Sequence, residues 1–219
     1  MGNNELLGWF LNVKNNDRFS NENRKSCLIL ALKEARAIAG RDVNGKSKWE
    51  NAKSSIDFTD EVLENDRWHG CTLLGLTSYL IILDLIGCVF KKKNKSESHD
   101  RDGVMNALNN FSFIELEEKK GIKALRNSLT HNFGLANDSH RFSLDSTSSI
   151  LITIPELAYR KFNSKGKDER SYTIVNGFKI CDLVESVYSE VVIQFEKSNI
   201  DFADGMYEEK LLENFTIVG

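Results

Sequence analysis

Apolar residues recur at helical spacing over most of this chain and change to strict alternation only once. Leu6, Leu7, Phe10 and Leu11 mark a short amphipathic helix near the N-terminal end. Ser20 is placed to open a longer one, on which Leu28, Ala31, Leu32, Ala35 and Ile38 form a single stripe that Gly40 closes. Residues 41–66 are polar and mixed, with room for a helix or two between Trp49 and Glu64. A third helix begins near Trp68, and from Gly70 to Phe90 it is almost uniformly apolar, with Asp84 as its only charge. Such a stretch fits a membrane span stopped by Lys91, Lys92 and Lys93, or a helix enclosed by others. Asp84 near its centre costs a span about 2.5–3.5 kcal/mol, and Thr72, Ser78 and the glycines dilute it further, so the enclosed helix is the expectation. A carboxylate there needs a partner, and Arg126, His131 or a lysine at the bundle edge would serve.

A charged linker follows from Lys91 to Arg101, then a short helix over Val104–Asn110. Ser112 and Glu115 have capping-box spacing and predict the start of a helix whose apolar positions include Leu116, Ile122, Leu125 and Leu129. Beyond it the pattern alternates. Phe142 and Leu144, then Ile150, Ile152 and Ile154, then Tyr172 and Ile174 predict two or three short strands around a polar loop from Asn163 to Arg170. From Phe178 the helical period returns, with Ile180, Leu183, Val184, Val187, Tyr188, Val191 and Phe195 on one face, as core or as a dimer interface. The expected fold is mainly α: a helical bundle with a small antiparallel β-meander, residues 140–176, inserted before the last long helix of a single domain spanning 1–219.

With 219 residues, 41% of them hydrophobic, the chain can bury one proper core. A net charge of −3 argues against a surface that coats nucleic acid, so any RNA contact must come from a local basic patch. Lys91, Lys92, Lys93 and Lys95 form one candidate; Lys119, Lys120 and Lys123, on the helix that carries Arg126, form another. The plainer reading of both is a solvated charged surface. Cys27, Cys71, Cys88 and Cys181 lie in apolar surroundings without metal-ligand spacing, and His69, His99, His131 and His140 make no zinc motif, so neither metal nor cofactor is expected. The first residues lack a basic region and an apolar signal core, which makes cytoplasmic residence the expectation.

The stretch most able to carry chemistry is Ala124-Leu125-Arg126-Asn127-Ser128-Leu129-Thr130-His131-Asn132-Phe133-Gly134. On a helix Asn127 and His131 are i,i+4 neighbours, and Arg126 lies about 140° around the axis from His131, within reach of a long side chain. In the last turn, ahead of Gly134, the negative end of the helix dipole favours imidazolium, which suits a proton donor near neutral pH. The Arg126 guanidinium offers a planar fork of donors to phosphate oxygens. An ordinary basic C-terminal cap accounts for the same residues.

The run from Leu125 to Asn132 resembles the Arg-polar-x-x-x-His signature of the HEPN superfamily (higher eukaryotes and prokaryotes nucleotide-binding), Asn127 matching the polar position. The resemblance implies a small helical bundle with the motif near the end of a late helix. It also implies a metal-independent endoribonuclease of toxin or antiviral-defence type, in which a homodimer brings two Arg-His motifs together. Arg126, His131 and Asn127 are then the catalytic residues, RNA or a nucleotide the ligand, and an antitoxin protein a further partner. Asp84 is a candidate to hold Arg126, from its burial alone. The family also has members without nuclease activity, so the alternative is an inactive nucleotide- or protein-binding regulatory module of the same fold.

Overall fold

The computed structural model describes residues 3–14, 23–47, 73–93, 102–132, 134–136, 141–144, 152–153, 161–162, 168–169 and 173–218. Among these the chain is mainly helical, with small strand pairs between the helices. In chain order the elements are α1 (Asn3–Phe10), β1 (Arg24–Ser26), α2 (Cys27–Ile38), α3 (Leu73–Val89), β2 (Phe90–Lys92), α4 (Gly103–Phe111) and α5 (Leu116–Asn132). They continue with β3 (Phe142–Leu144), β4 (Ile152–Thr153), β5 (Lys161–Phe162), β6 (Asp168–Glu169), β7 (Thr173–Val175), α6 (Gly177–Glu196), β8 (Ile200–Phe202), α7 (Glu208–Asn214) and β9 (Thr216–Val218).

Helix α3 is the centre, and its uniform apolarity follows from that position. Leu76, Tyr79, Leu80, Ile82, Leu83, Ile86 and Val89 are fully buried against α2, α4 and α6, while Leu74 and Ile81 stay exposed. Its described part runs for 17 residues, and among the described residues no helix is long and apolar enough to cross a membrane. Two glycines set its closest approach. A Cβ on Gly87 would overlap the Gly103 carbonyl, and one on Gly103 would overlap the Asp84 carbonyl and carboxylate. Backbone therefore meets backbone where α3 crosses the start of α4. The stripe of α6 is core: Ile180, Val184, Val187 and Val191 are fully enclosed. Asn176 caps this helix, its side chain accepting from the Lys179 amide at 3.2 Å.

Several expectations from sequence need correction. The helix of Leu28 and Leu32 starts at Cys27, because residues 24–26 form a strand paired with β9 from the far end of the chain. Ser26 is its N-cap and donates its hydroxyl to the Phe10 carbonyl at 2.8 Å, joining β1 to α1. The expected opening at Ser20 lies outside the described residues. The Lys91–Arg101 linker begins as strand β2, paired antiparallel with β8. The capping box is displaced by three residues. Glu118 accepts from the Glu115 amide at 3.1 Å and starts α5, while Ser112 donates to the Leu108 carbonyl at 2.6 Å and ends α4. The antiparallel meander is a mixed sheet of order β3-β7-β4, with β3 parallel and β4 antiparallel to β7. Alternation fixes which face is buried and leaves strand order open. Part of the expected polar loop is β6, paired with β5. The helices placed between Trp49 and Glu64, and Ile150, Ile154 and Tyr172, fall outside the described residues.

A buried polar cluster ties α2, α3 and α6 together. Glu185 accepts two hydrogen bonds from Arg36, at 2.9 Å from Nε and 2.6 Å from Nη2, and one from the Tyr79 hydroxyl at 2.6 Å. Burial and this acceptor push the Tyr79 phenol far above its ordinary range. Arg41, 3% exposed, donates to the Gly45 and Phe178 carbonyls and pairs with Asp182 at 2.8 Å, which pins the 41–47 turn to α6. Gly45 (φ +80°) lies directly over the Glu185 carboxylate, where any side chain would collide.

Candidate functional site

Helix α5 carries the Arg-His run. Ile122, Leu125 and Leu129 are its core positions, each almost completely buried. Leu116 is 54% exposed instead, because it sits at the helix tip beside the exposed Phe113, ahead of the packed turns. The core stripe fixes the rotation of the helix, and that rotation directs Arg126 and Asn127 to its flank. His131 is exposed in the last turn, and the amide of Gly134 donates to the Ser128 carbonyl at 3.4 Å.

Arg126 is engaged on the side of α3. Its Nη2 forms an ion pair with Asp84, both side chains being 23% exposed, and its Nη1 donates to Asn127 Oδ1 at 3.0 Å. Its Nε is enclosed without a hydrogen-bond partner, as is the hydroxyl of fully buried Ser128. Thr130 returns its hydroxyl to the Arg126 carbonyl at 2.8 Å. Asp84, Arg126 and Asn127 thus form one connected group. His131 makes no hydrogen bond or ion pair to any of the three.

The lysines of α5 are also engaged. Lys123 pairs with Asp102 at 3.3 Å, and Asp102 also caps α4 by accepting from the Met105 amide at 3.0 Å. Lys119 donates to Asn109 at 3.3 Å, and Lys120 pairs with Glu117 at 2.7 Å. In the other basic stretch Lys91 pairs with Asp204 and Lys92 with Glu190, the latter at 2.8 Å. Lys92 and Gln194 together hold the Glu190 carboxyl below its ordinary range. Lys95 lies outside the described residues. Positive charge that reads as a continuous patch in sequence is therefore matched locally by carboxylates and amides at Lys91, Lys92, Lys119, Lys120 and Lys123, while Lys93 is exposed.

Cys88, one turn beyond Asp84 on α3, has its thiol pushed up by burial and then by the Asp84 charge, which keeps it protonated and a poor nucleophile. Cys181 is buried and Cys27 partly so; Cys71, His69, His99 and His140 fall outside the described residues. Among the described residues no three His, Cys, Asp or Glu side chains gather as a metal site. A surface depression of about 320 Å³ between β8 and α7 is lined by Lys91, Asp201, Asp204, Tyr207 and Glu208 among others, and includes no residue of the Arg-His run.

Sequence reasoning missed the Arg36–Glu185–Tyr79 cluster. Its members are far apart in the chain and share no local spacing, so no signal in the sequence joined them. Comparison with known protein families, with characterised proteins and with solved structures finds no match to this chain.

Proposed function

We propose that the chain is a metal-independent endoribonuclease of HEPN type, acting in toxin or antiviral defence, with Arg126, Asn127 and His131 as its reactive residues. The observation that carries this reading is the joining of Arg126 to Asn127 on a flank of α5 that solvent reaches, with an exposed imidazole less than two turns on. The carboxylate on the central helix holds the guanidinium of the motif position in place, with hydrogens of its terminal nitrogens left for an anion.

The reaction follows from the groups. The 2′-hydroxyl oxygen of RNA attacks the adjacent phosphorus, the bond to the 5′-oxygen breaks, and a 2′,3′-cyclic phosphate remains on one product. Arg126 binds the non-bridging oxygens, whose charge rises in the transition state. His131, as imidazolium, gives its proton to the departing 5′-oxygen. The proton of the 2′-hydroxyl needs a base, and a second copy of the chain supplies one through its own histidine, which makes the active form a homodimer.

A binding module without turnover is the second reading, and one observation favours it: Arg126 donates to Asp84 and Asn127, and no hydrogen bond joins it to His131. Purified protein incubated with mixed RNA in EDTA separates the two. Cleavage by wild type that is lost in both His131→Ala and Arg126→Ala supports the nuclease. Equal cleavage by all three is contamination and removes the assignment, and intact RNA throughout favours the binding module.

A further inference from the structure

The arrangement around Arg126 carries a consequence for how tightly its site holds phosphate. A guanidinium grips phosphate best through two parallel N–H donors on one edge. Here each nitrogen of the fork is already committed or enclosed: Nη2 is paired with Asp84, Nη1 donates to Asn127, and Nε is buried. Nη2 is also the nitrogen common to both edges of the fork. A phosphate that docks must take up a remaining hydrogen of Nη1 or Nη2 beside a carboxylate oxygen, one anion next to another. The Asp84 carboxylate occupies the space that a Cβ on Gly103 would need, so the helix crossing bounds its movement on that side. Lys123 brings no spare charge to the spot, since Asp102 holds it.

We infer that Asp84 is an internal competitor for phosphate that lowers the affinity of the Arg126 site while keeping the guanidinium in place. The inference rests on the proposed phosphate-handling role of Arg126, and its ligand class is a single phosphodiester of an unpaired strand. Weak ground-state binding suits such a site, because a contact that strengthens only as charge builds on the phosphate acts on the transition state rather than on the substrate. Asp84 is accordingly a positioning residue that acts through Arg126.

The test is binding of a short fluorescent single-stranded DNA oligonucleotide, which lacks the 2′-hydroxyl and is not cleaved, followed by anisotropy on the full chain. Asp84→Asn keeps an acceptor for Nη2 and removes the charge. It should tighten binding by about tenfold, the effect of one unit charge about 5 Å from the phosphate at a partly exposed, salt-screened site. The gain should vanish when Arg126→Ala is added. Asp84→Ser, neutral and shorter, should tighten binding in the same direction, and this arm decides the matter if Asp84→Asn does not fold. Unchanged or weaker binding in whichever neutral variant folds, or no binding by any variant, overturns the inference. The two readings fail separately. Binding that shifts as stated while RNA stays intact leaves the competitor and removes the nuclease; RNA cleavage dependent on Arg126 and His131 without the affinity gain does the reverse.

Discussion

Replacing Glu185 by alanine removes the acceptor on which α2, α3 and α6 converge, and the structure sets the size of the loss. Three hydrogen bonds disappear, two from Arg36 at 2.9 and 2.6 Å and one from Tyr79 at 2.6 Å. The Arg36 and Glu185 side chains are only 15% and 13% exposed, so the guanidinium is left with the Val43 carbonyl at 2.5 Å and limited access to water. Breaking a buried pair from one side costs about 3–5 kcal/mol, and slight exposure puts this pair near 3. The orphaned hydroxyl of fully buried Tyr79 adds about 1 kcal/mol. The expected total of about 4 kcal/mol lowers the urea midpoint by about 1.5 M at a slope of 2–3 kcal/mol/M, measured by circular dichroism with two-state behaviour verified. Tyr79→Phe alone should cost about 1 kcal/mol, and the double variant less than the sum, because both changes remove the same bond. A loss below about 1 kcal/mol in Glu185→Ala is the signature of an exposed ion pair and would refute the buried cluster.

Gly87→Ala places a methyl group into the Gly103 backbone, and no side-chain motion relieves it. Thermal and urea unfolding should show a loss of about 3 kcal/mol, whereas a change within about 0.5 would mean that the helices do not cross there. Glu190 has its pKa lowered by Lys92 and Gln194. A depressed carboxyl contributes stability above its ordinary value of 4.5 and loses it as pH falls through the folded-state value. The stability gap between wild type and Glu190→Gln, followed by urea midpoint against pH, should therefore close on acidification; a gap constant with pH contradicts the pairing. Ser26→Ala removes the cap of α2 and the bond to the Phe10 carbonyl together, with an expected loss of about 1–2 kcal/mol in the same assay.

Helix positions were legible in the sequence wherever a one-sided apolar stripe faces a core, as in α1, α4 and α6. Helix starts were less so. The opening of α2 is fixed by a strand pairing with residues about 190 positions away, and that of α5 by a choice between two capping sites that look alike in sequence. The final 20 or so residues gave no reading because their elements are short and exist through their partners, β8 on β2 and β9 on β1. In the candidate site, the search for a partner of Asp84 named Arg126 among others, since a charge on a buried helix narrows the choice. The pairing of the α5 lysines with Asp102, Asn109 and Glu117 was not legible. A run of like charges shows its own spacing and nothing of the elements that come to lie against it.

In the proposed reaction Arg126 and His131 direct the 2′-hydroxyl of RNA onto its own phosphate. Mass spectrometry of the products of a defined RNA oligonucleotide, digested in EDTA, tests it most directly. The expected products carry 2′,3′-cyclic phosphate and 5′-hydroxyl ends, with no cut where the scissile nucleotide is 2′-deoxy and none by His131→Ala. Products ending in 3′-hydroxyl and 5′-phosphate, or an oligonucleotide left whole by wild type, would contradict it.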